Sequence, residues 1–160
     1  MQTKPPQRFF AYATYRLLHV FNRLTRPLTL GVRVVVVDAE DRVLLVRHSY
    51  VPGWHFPGGG IEPGESALEA LARELMEEGN IVLDGAPRAH GLFFNNFASE
   101  RDHVMIYVVR AFHQTAPTTA GAEIRETGFF PRDLLPEGAT RSCRERIAEI
   151  FDGAPVSGRW

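Results

Sequence analysis

Gly58-Gly59-Gly60-Ile61-Glu62-Pro63-Gly64-Glu65-Ser66 runs directly into Ala67-Leu68-Glu69-Ala70-Leu71-Ala72-Arg73-Glu74-Leu75-Met76-Glu77-Glu78-Gly79-Asn80. The first stretch has too many glycines and prolines to be regular and must be a loop. The second predicts a helix. Ser66 and Glu69 have the spacing of a capping box, which starts the helix near Ala67. The helix ends near Gly79-Asn80, where a left-handed residue is expected. At about 100° per residue, Glu74, Glu77 and Glu78 share one sector of its surface, with Ala67 and Ala70 one or two turns earlier. Leu68, Leu71 and Leu75 form another face, expected to pack on a sheet.

Three carboxylates at i, i+3 and i+4 repel one another by roughly 0.2–0.5 kcal/mol per pair. A solvated face would interleave lysines, but this helix has none, and Arg73 is its one cation. A solvated acidic face remains open on the helix alone. The alternative is an external partner: hard divalent cations, which take oxygen ligands, with the alanines leaving room for a bulky anion. The glycines favour the second reading, because they let backbone approach a ligand closely.

Working outward, Leu30–Asp38 is rich in β-branched residues and reads as a buried strand. Asp38–Asp41 reads as a turn, and Arg42–Arg47 as the returning strand of a hairpin. Beyond the helix, Ile81–Leu83, Gly91–Phe97 and Val104–Phe112 read as strands, residues 117–122 as a small-residue loop, Phe129–Phe130 as a short strand and Thr140–Phe151 as a closing helix. Strands interleaved with helices predict an α/β fold, a mixed sheet covered by helices.

The 160 residues suit one domain, and 44% hydrophobic with 23% charged residues is an ordinary globular balance. Cys143 is the one cysteine, so no internal disulfide exists, as suits a reducing compartment. The net charge of −1 conceals an asymmetry: residues 1–37 hold six basic residues and no acid, while the rest sums to −7. Residues 7–25 predict a basic amphipathic helix, with Phe9, Phe10, Leu17, Val20, Phe21 and Leu24 opposite Arg8, Arg16 and Arg23. Such an apolar face is expected to dock on its own domain or on a dimer mate rather than on a membrane. With no apolar run of spanning length and no secretory pattern, a cytoplasmic location is expected.

The segment Gly59, five residues, Glu65, seven residues, then Arg73-Glu74-Leu75-x-Glu77-Glu78 resembles the Nudix box, which spans Gly59 to Ile81. Trp54-His55-Phe56-Pro57 before it and Glu123-Ile124-Arg125-Glu126 with Phe129-Phe130 after it also resemble that family. One position departs: Asn80 stands where the box has glycine before its last aliphatic residue. Asn is the next-best residue for a left-handed cap, so no ligand is lost. Gly79 is the other candidate for that cap.

The resemblance implies an α/β/α sandwich over residues 28–160, with residues 1–27 as an added amphipathic helix. It implies a Nudix hydrolase that cleaves a phosphoanhydride bond by water attack on phosphorus. Glu74, Glu77 and Glu78 would bind Mg²⁺ or Mn²⁺, helped by the Gly59 carbonyl. Arg73 would orient the glutamates and Glu65 would steady Arg73. The base would be Glu74, or a glutamate of the later loop, Glu123 or Glu126, which otherwise read as surface charge. The expected substrate is a small nucleotide-type molecule, a nucleoside diphosphate linked to another group or a nucleoside triphosphate. No specific nucleic-acid binding is expected.

Subgroup marks do not name the leaving group. The proline of the ADP-ribose group has no match, Pro87 being too early and Pro117 too late. Arg47 and His48 either contact phosphates or flank a strand end. Trp54 and Phe94, with Phe93, Phe97 and Tyr107, either stack on a base or fill the core. A Nudix fold kept as a nucleotide sensor is the second reading, but such proteins usually lose box glutamates, and here all are present.

Overall fold

The computed structural model describes residues 28–118, 121 and 123–160. The amino-terminal helix expected over residues 7–25 lies outside them, as does part of the loop at 117–122.

Strand β1 (Thr29–Val36) is the spine of the fold. Its side chains alternate between two cores. Val32, Val34 and Val36 pack with Leu71 and Leu75 of helix α1 (Ala67–Gly79). Val35 and Val37 pack with Phe56, Phe93, Cys143 and Ile147 on the other face, the last two from helix α2 (Arg141–Phe151). A strand buried on both faces needs apolar residues at nearly every position, which is why the run is almost all valine. The sheet is mixed: β5 (Asp102–Val109) pairs with β1 in parallel and with β4 (Arg88–Phe94) antiparallel. Helices on both sides complete the expected α/β/α sandwich. No helix among the described residues is long and apolar enough to cross a membrane.

The hairpin expected from β1 and β2 (Arg42–His48) does not form as a paired ribbon. The turn is there, with the Asp41 N–H on the Asp38 carbonyl and a single bridge between Val37 and Val43. Beyond it the strands part, because the glycine loop enters between them. The Val32 and Val34 amides donate to the carbonyls of Gly59 and Pro57, while Val46 exchanges both bonds with His55. With that edge taken, β2 pairs on its other side with β7 (Ile124–Pro131).

Other boundaries shift for local reasons. The run Val104–Phe112 breaks after Val109, and β6 (Phe112–Gln114) pairs instead with β3 (Ile81–Leu83). Strand β7 is longer than Phe129–Phe130 suggested, because its first half carries charged and small residues that hide the pattern. In α1, Leu71 and Leu75 are buried as expected, but Leu68 is exposed. Ala70 sits fully inside the α1 core rather than leaving room beside the glutamates, so its small size serves helix–sheet contact.

Both ends of α1 follow the sequence. The Ser66 hydroxyl accepts from the Glu69 N–H, and the Glu69 carboxylate accepts from the Ser66 N–H at 2.8 Å. Asn80 is left-handed, at φ 52° and ψ 37°. Gly79 is not the cap; it stays helical and packs against Ile81 and Leu44. Asn80→Gly is therefore expected to leave the melting temperature nearly unchanged, and Asn80→Val to destabilise by about 1 kcal/mol. Equal melting temperatures for all three proteins would contradict this.

Candidate metal and phosphate site

The glycine loop and α1 meet edge to face. Gly58 has φ +132°, and a Cβ there would run into the backbone of Val32. This conformation aims the Gly58 N–H at Glu78, whose Oε2 accepts it at 2.8 Å. Gly59 is needed for closeness, since a Cβ on it would overlap the Glu74 carboxylate. The Gly59 carbonyl, expected to serve as a metal ligand, accepts the Val32 N–H at 2.8 Å, which occupies one of its two lone pairs.

Arg73 organises the opposite wall. Its Nε donates to Glu65 Oε1 at 2.9 Å and its Nη2 to Glu65 Oε2 at 3.1 Å, a two-pronged pair. The same guanidinium reaches Glu74 Oε1 at 2.7 Å and the Gly60 carbonyl at 3.0 Å. Arg73 holds the Glu65 carboxyl well below the usual carboxylate range. So one arginine ties the loop, Glu65 and Glu74 into a single frame.

The three helix glutamates differ in surroundings. Glu77 is exposed, Glu74 is largely covered, and Glu78 is buried at 8% exposure. Burial pushes Glu78 up to about 7, against the pull of the Gly58 N–H and the Arg33 charge. Its other oxygen lies 3.6 Å from His48 Nε2. Burial pushes His48 down to about 4, so at neutral pH that ring carries no charge to balance the carboxylate.

Together with Tyr50, Glu123 and Ile124, these groups line a cleft of about 690 Å³. Among the described residues, no three His, Cys, Asp or Glu side chains converge closely enough to hold an ion in their present rotamers. The donor chemistry nevertheless fits a hard divalent cation. The donors are carboxylate oxygens, Glu78 is a buried carboxyl short of counter-charge among the described residues, and the exposed Glu77 lines the cleft. A smaller cavity of about 270 Å³ shares Gly59 and Gly60 with the cleft and is lined on its far side by Arg33, Asn95 and Trp160.

The other sequence candidates separate. Glu123 lines the cleft, whereas Glu126 pairs with Arg47 at 3.7 Å on the exposed surface. His48 is buried behind Glu78 rather than open to a phosphate. Trp54 lies in the α2-side core, edge-on to Phe130 at 4.9 Å. Phe94 stands against His103 and under Arg159, away from the cleft. Sequence reading missed Tyr50, an exposed residue after a strand end with no pattern to mark it.

Gly59→Ala tests the close approach. The added methyl displaces the flexible end of Glu74 rather than backbone. The melting temperature should therefore hold while kcat/KM falls by about tenfold or more, the scale on which catalytic groups respond to small misplacement. Unchanged kcat/KM would show that the position of Glu74 does not matter.

The chain has relatives in sequence and in fold. A Bacillus subtilis protein provisionally named an 8-oxo-dGTP diphosphatase is 48% identical over 50 residues, 31% of this chain and 34% of that one. An RNA pyrophosphohydrolase of Legionella pneumophila is 41% identical over 64 residues, 37% of each chain. The matched stretches thus span about a third of these curated relatives' own length. Among solved structures, a MutT NUDIX hydrolase from Burkholderia pseudomallei superposes with a TM-score of 0.67 at 23% identity, covering 78% of this chain and 99% of that one. A UDP-X diphosphatase superposes with a TM-score of 0.62 at 22% identity, covering 95% and 86%. These two likenesses show the fold. The model of the NUDIX domain family matches residues 27–149, from just before β1 to the last turns of α2, and the chain belongs to that family.

Proposed function

We propose that the protein is a divalent-metal-dependent hydrolase that splits a phosphoanhydride bond in a small nucleotide-type substrate. The observation that carries this reading is the buried carboxyl of Glu78, under-compensated among the described residues, beside Glu74 and Glu77 on one helix face over a glycine loop. Glu74, Glu77 and Glu78 would hold Mg²⁺ or Mn²⁺. Such an ion supplies charge neutralisation at phosphate oxygens and a more acidic bound water. Arg73 keeps Glu74 aimed at the cleft, and Glu65 keeps Arg73 in register. Glu74 or Glu123 takes the proton from the attacking water. Glu126 is the weaker candidate, being committed to Arg47 on the surface.

The names of the relatives support a nucleotide-type substrate and differ among themselves on which one, so a panel decides. The purified protein is offered 8-oxo-dGTP, an RNA bearing a 5′-triphosphate, a UDP-linked compound and ADP-ribose, each with Mg²⁺, Mn²⁺ or excess chelator. The expected result is release of phosphate, pyrophosphate or a nucleoside monophosphate from at least one, abolished by chelation. Tight binding with no turnover of any of them would replace this reading with that of a nucleotide sensor.

A further inference from the structure

Arg33 is the one charged residue in the run Gly31–Val37. It lies on the β1 face that carries Val35 and Val37 into the α2-side core, a position where strand pattern alone asks for an apolar side chain. Its Nη1 donates to two carbonyls of the glycine loop, that of Phe56 at 3.2 Å and that of Gly58. The carbonyls of Pro57 and Gly59 are held by β1 amides, and that of Gly60 by Arg73. Every carbonyl from residue 56 to 60 therefore has a donor.

The pattern has a consequence for Glu78. The peptide joining Pro57 to Gly58 presents the N–H that Glu78 accepts at 2.8 Å. Arg33 holds the carbonyl of the peptide before it and that of the peptide after it. Gly58, at φ +132°, is a point where that chain is otherwise able to turn. We propose that Arg33 is a positioning residue for the carboxylate centre, clamping the peptides on either side of the Gly58 N–H so that Glu78 is held at one place and orientation. The proposal rests on reading that centre as the working site. A charged donor suits this task, since its hydrogen bonds to carbonyls are stronger than neutral ones.

The test compares wild type, Arg33→Lys and Arg33→Met as ¹⁵N-labelled, chelator-treated proteins. Amide hydrogen exchange is followed at Gly58, and at Leu71 and Leu75 of α1 as controls. In Arg33→Met the Gly58 amide is expected to exchange about tenfold faster or more, with the α1 amides little changed, because only the local opening is affected. Arg33→Lys, which keeps a charged donor, should recover part of the protection. On whichever nucleotide the wild type hydrolyses, kcat should fall by about tenfold or more with KM nearly unchanged. Gly58 protection equal to wild type would overturn the proposal. So would parallel loss at Leu71 and Leu75, which would mark general loosening. A raised KM at unchanged kcat would show instead that Arg33 contacts the ligand from the smaller cavity. If Arg33→Met fails to fold, the same readings on Arg33→Lys decide, with faster exchange at Gly58 alone as the supporting result. If the wild type turns over no nucleotide, the hydrolase reading falls while the Gly58 exchange still judges the clamp.

Discussion

Replacing Glu77 or Glu78 by glutamine lowers hydrolysis by about a hundredfold or more, the scale of roughly 3 kcal/mol for losing one strong electrostatic contact at a reacting centre. The fold should survive both changes. Glu77 is exposed, and its nearest partner, Arg73, stands 3.5 Å away with better bonds to Glu65 and Glu74. Glu78 is buried, but glutamine keeps an oxygen in place to accept the Gly58 N–H. Each substitution thus removes charge while preserving shape, and the loss should appear in kcat/KM at every metal concentration tried. Near-normal turnover in either variant, with unchanged melting, would remove that glutamate from the chemistry.

The second large effect is on stability against pH in protein stripped of metal. Burial raises the Glu78 carboxyl from an ordinary 4.5 to about 7. The folded state therefore binds that proton more tightly than the unfolded chain does. This contribution to stability is fully present below about pH 4.5 and is lost as pH rises toward 7, because the unfolded chain ionises first. At about 1.36 kcal/mol per pKa unit, the loss is on the order of 1–3 kcal/mol. Denaturant unfolding at pH 5 and pH 7.5 measures it. Glu78→Gln should flatten this part of the profile and make the stripped protein more stable at pH 7.5. Mg²⁺ or Mn²⁺ should stabilise wild type more at pH 7.5 than at pH 5, since binding competes with the proton. A wild-type profile no steeper than that of Glu78→Gln would mean that the carboxyl is better solvated than its burial indicates.

The parts of this molecule legible in the sequence are those set by neighbours along the chain. Ser66 and Glu69 announce the start of α1 and Gly79-Asn80 its end, because capping is decided within a few residues; which of the two takes the left-handed turn only the structure shows. The grouping of Glu74, Glu77 and Glu78 follows from helix periodicity alone. What the sequence hid depends on partners far along the chain. The turn and strands of β1 and β2 spell a hairpin, yet the glycine loop competes for the same edge and wins. Trp54 and His48 had the composition of ligand-binding residues, and only packing shows that one fills a core and the other backs Glu78. Arg33 reads in the sequence merely as charge, because its partners are backbone carbonyls more than twenty residues away. Strand β7 is hard to read at Ile124–Gly128, where pairing among the described residues with β2 alone asks little of the side chains.

The central claim is that water attacks phosphorus at the Glu74–Glu77–Glu78 face with the help of a divalent ion. Turnover in H₂¹⁸O, with products analysed by mass spectrometry, tests it most directly. The account predicts a single ¹⁸O atom bound to phosphorus in one of the two products formed per cleavage, with release abolished by chelator and restored by Mg²⁺ or Mn²⁺. Label on a carbon-bound oxygen, or turnover at full rate in excess chelator, would contradict it.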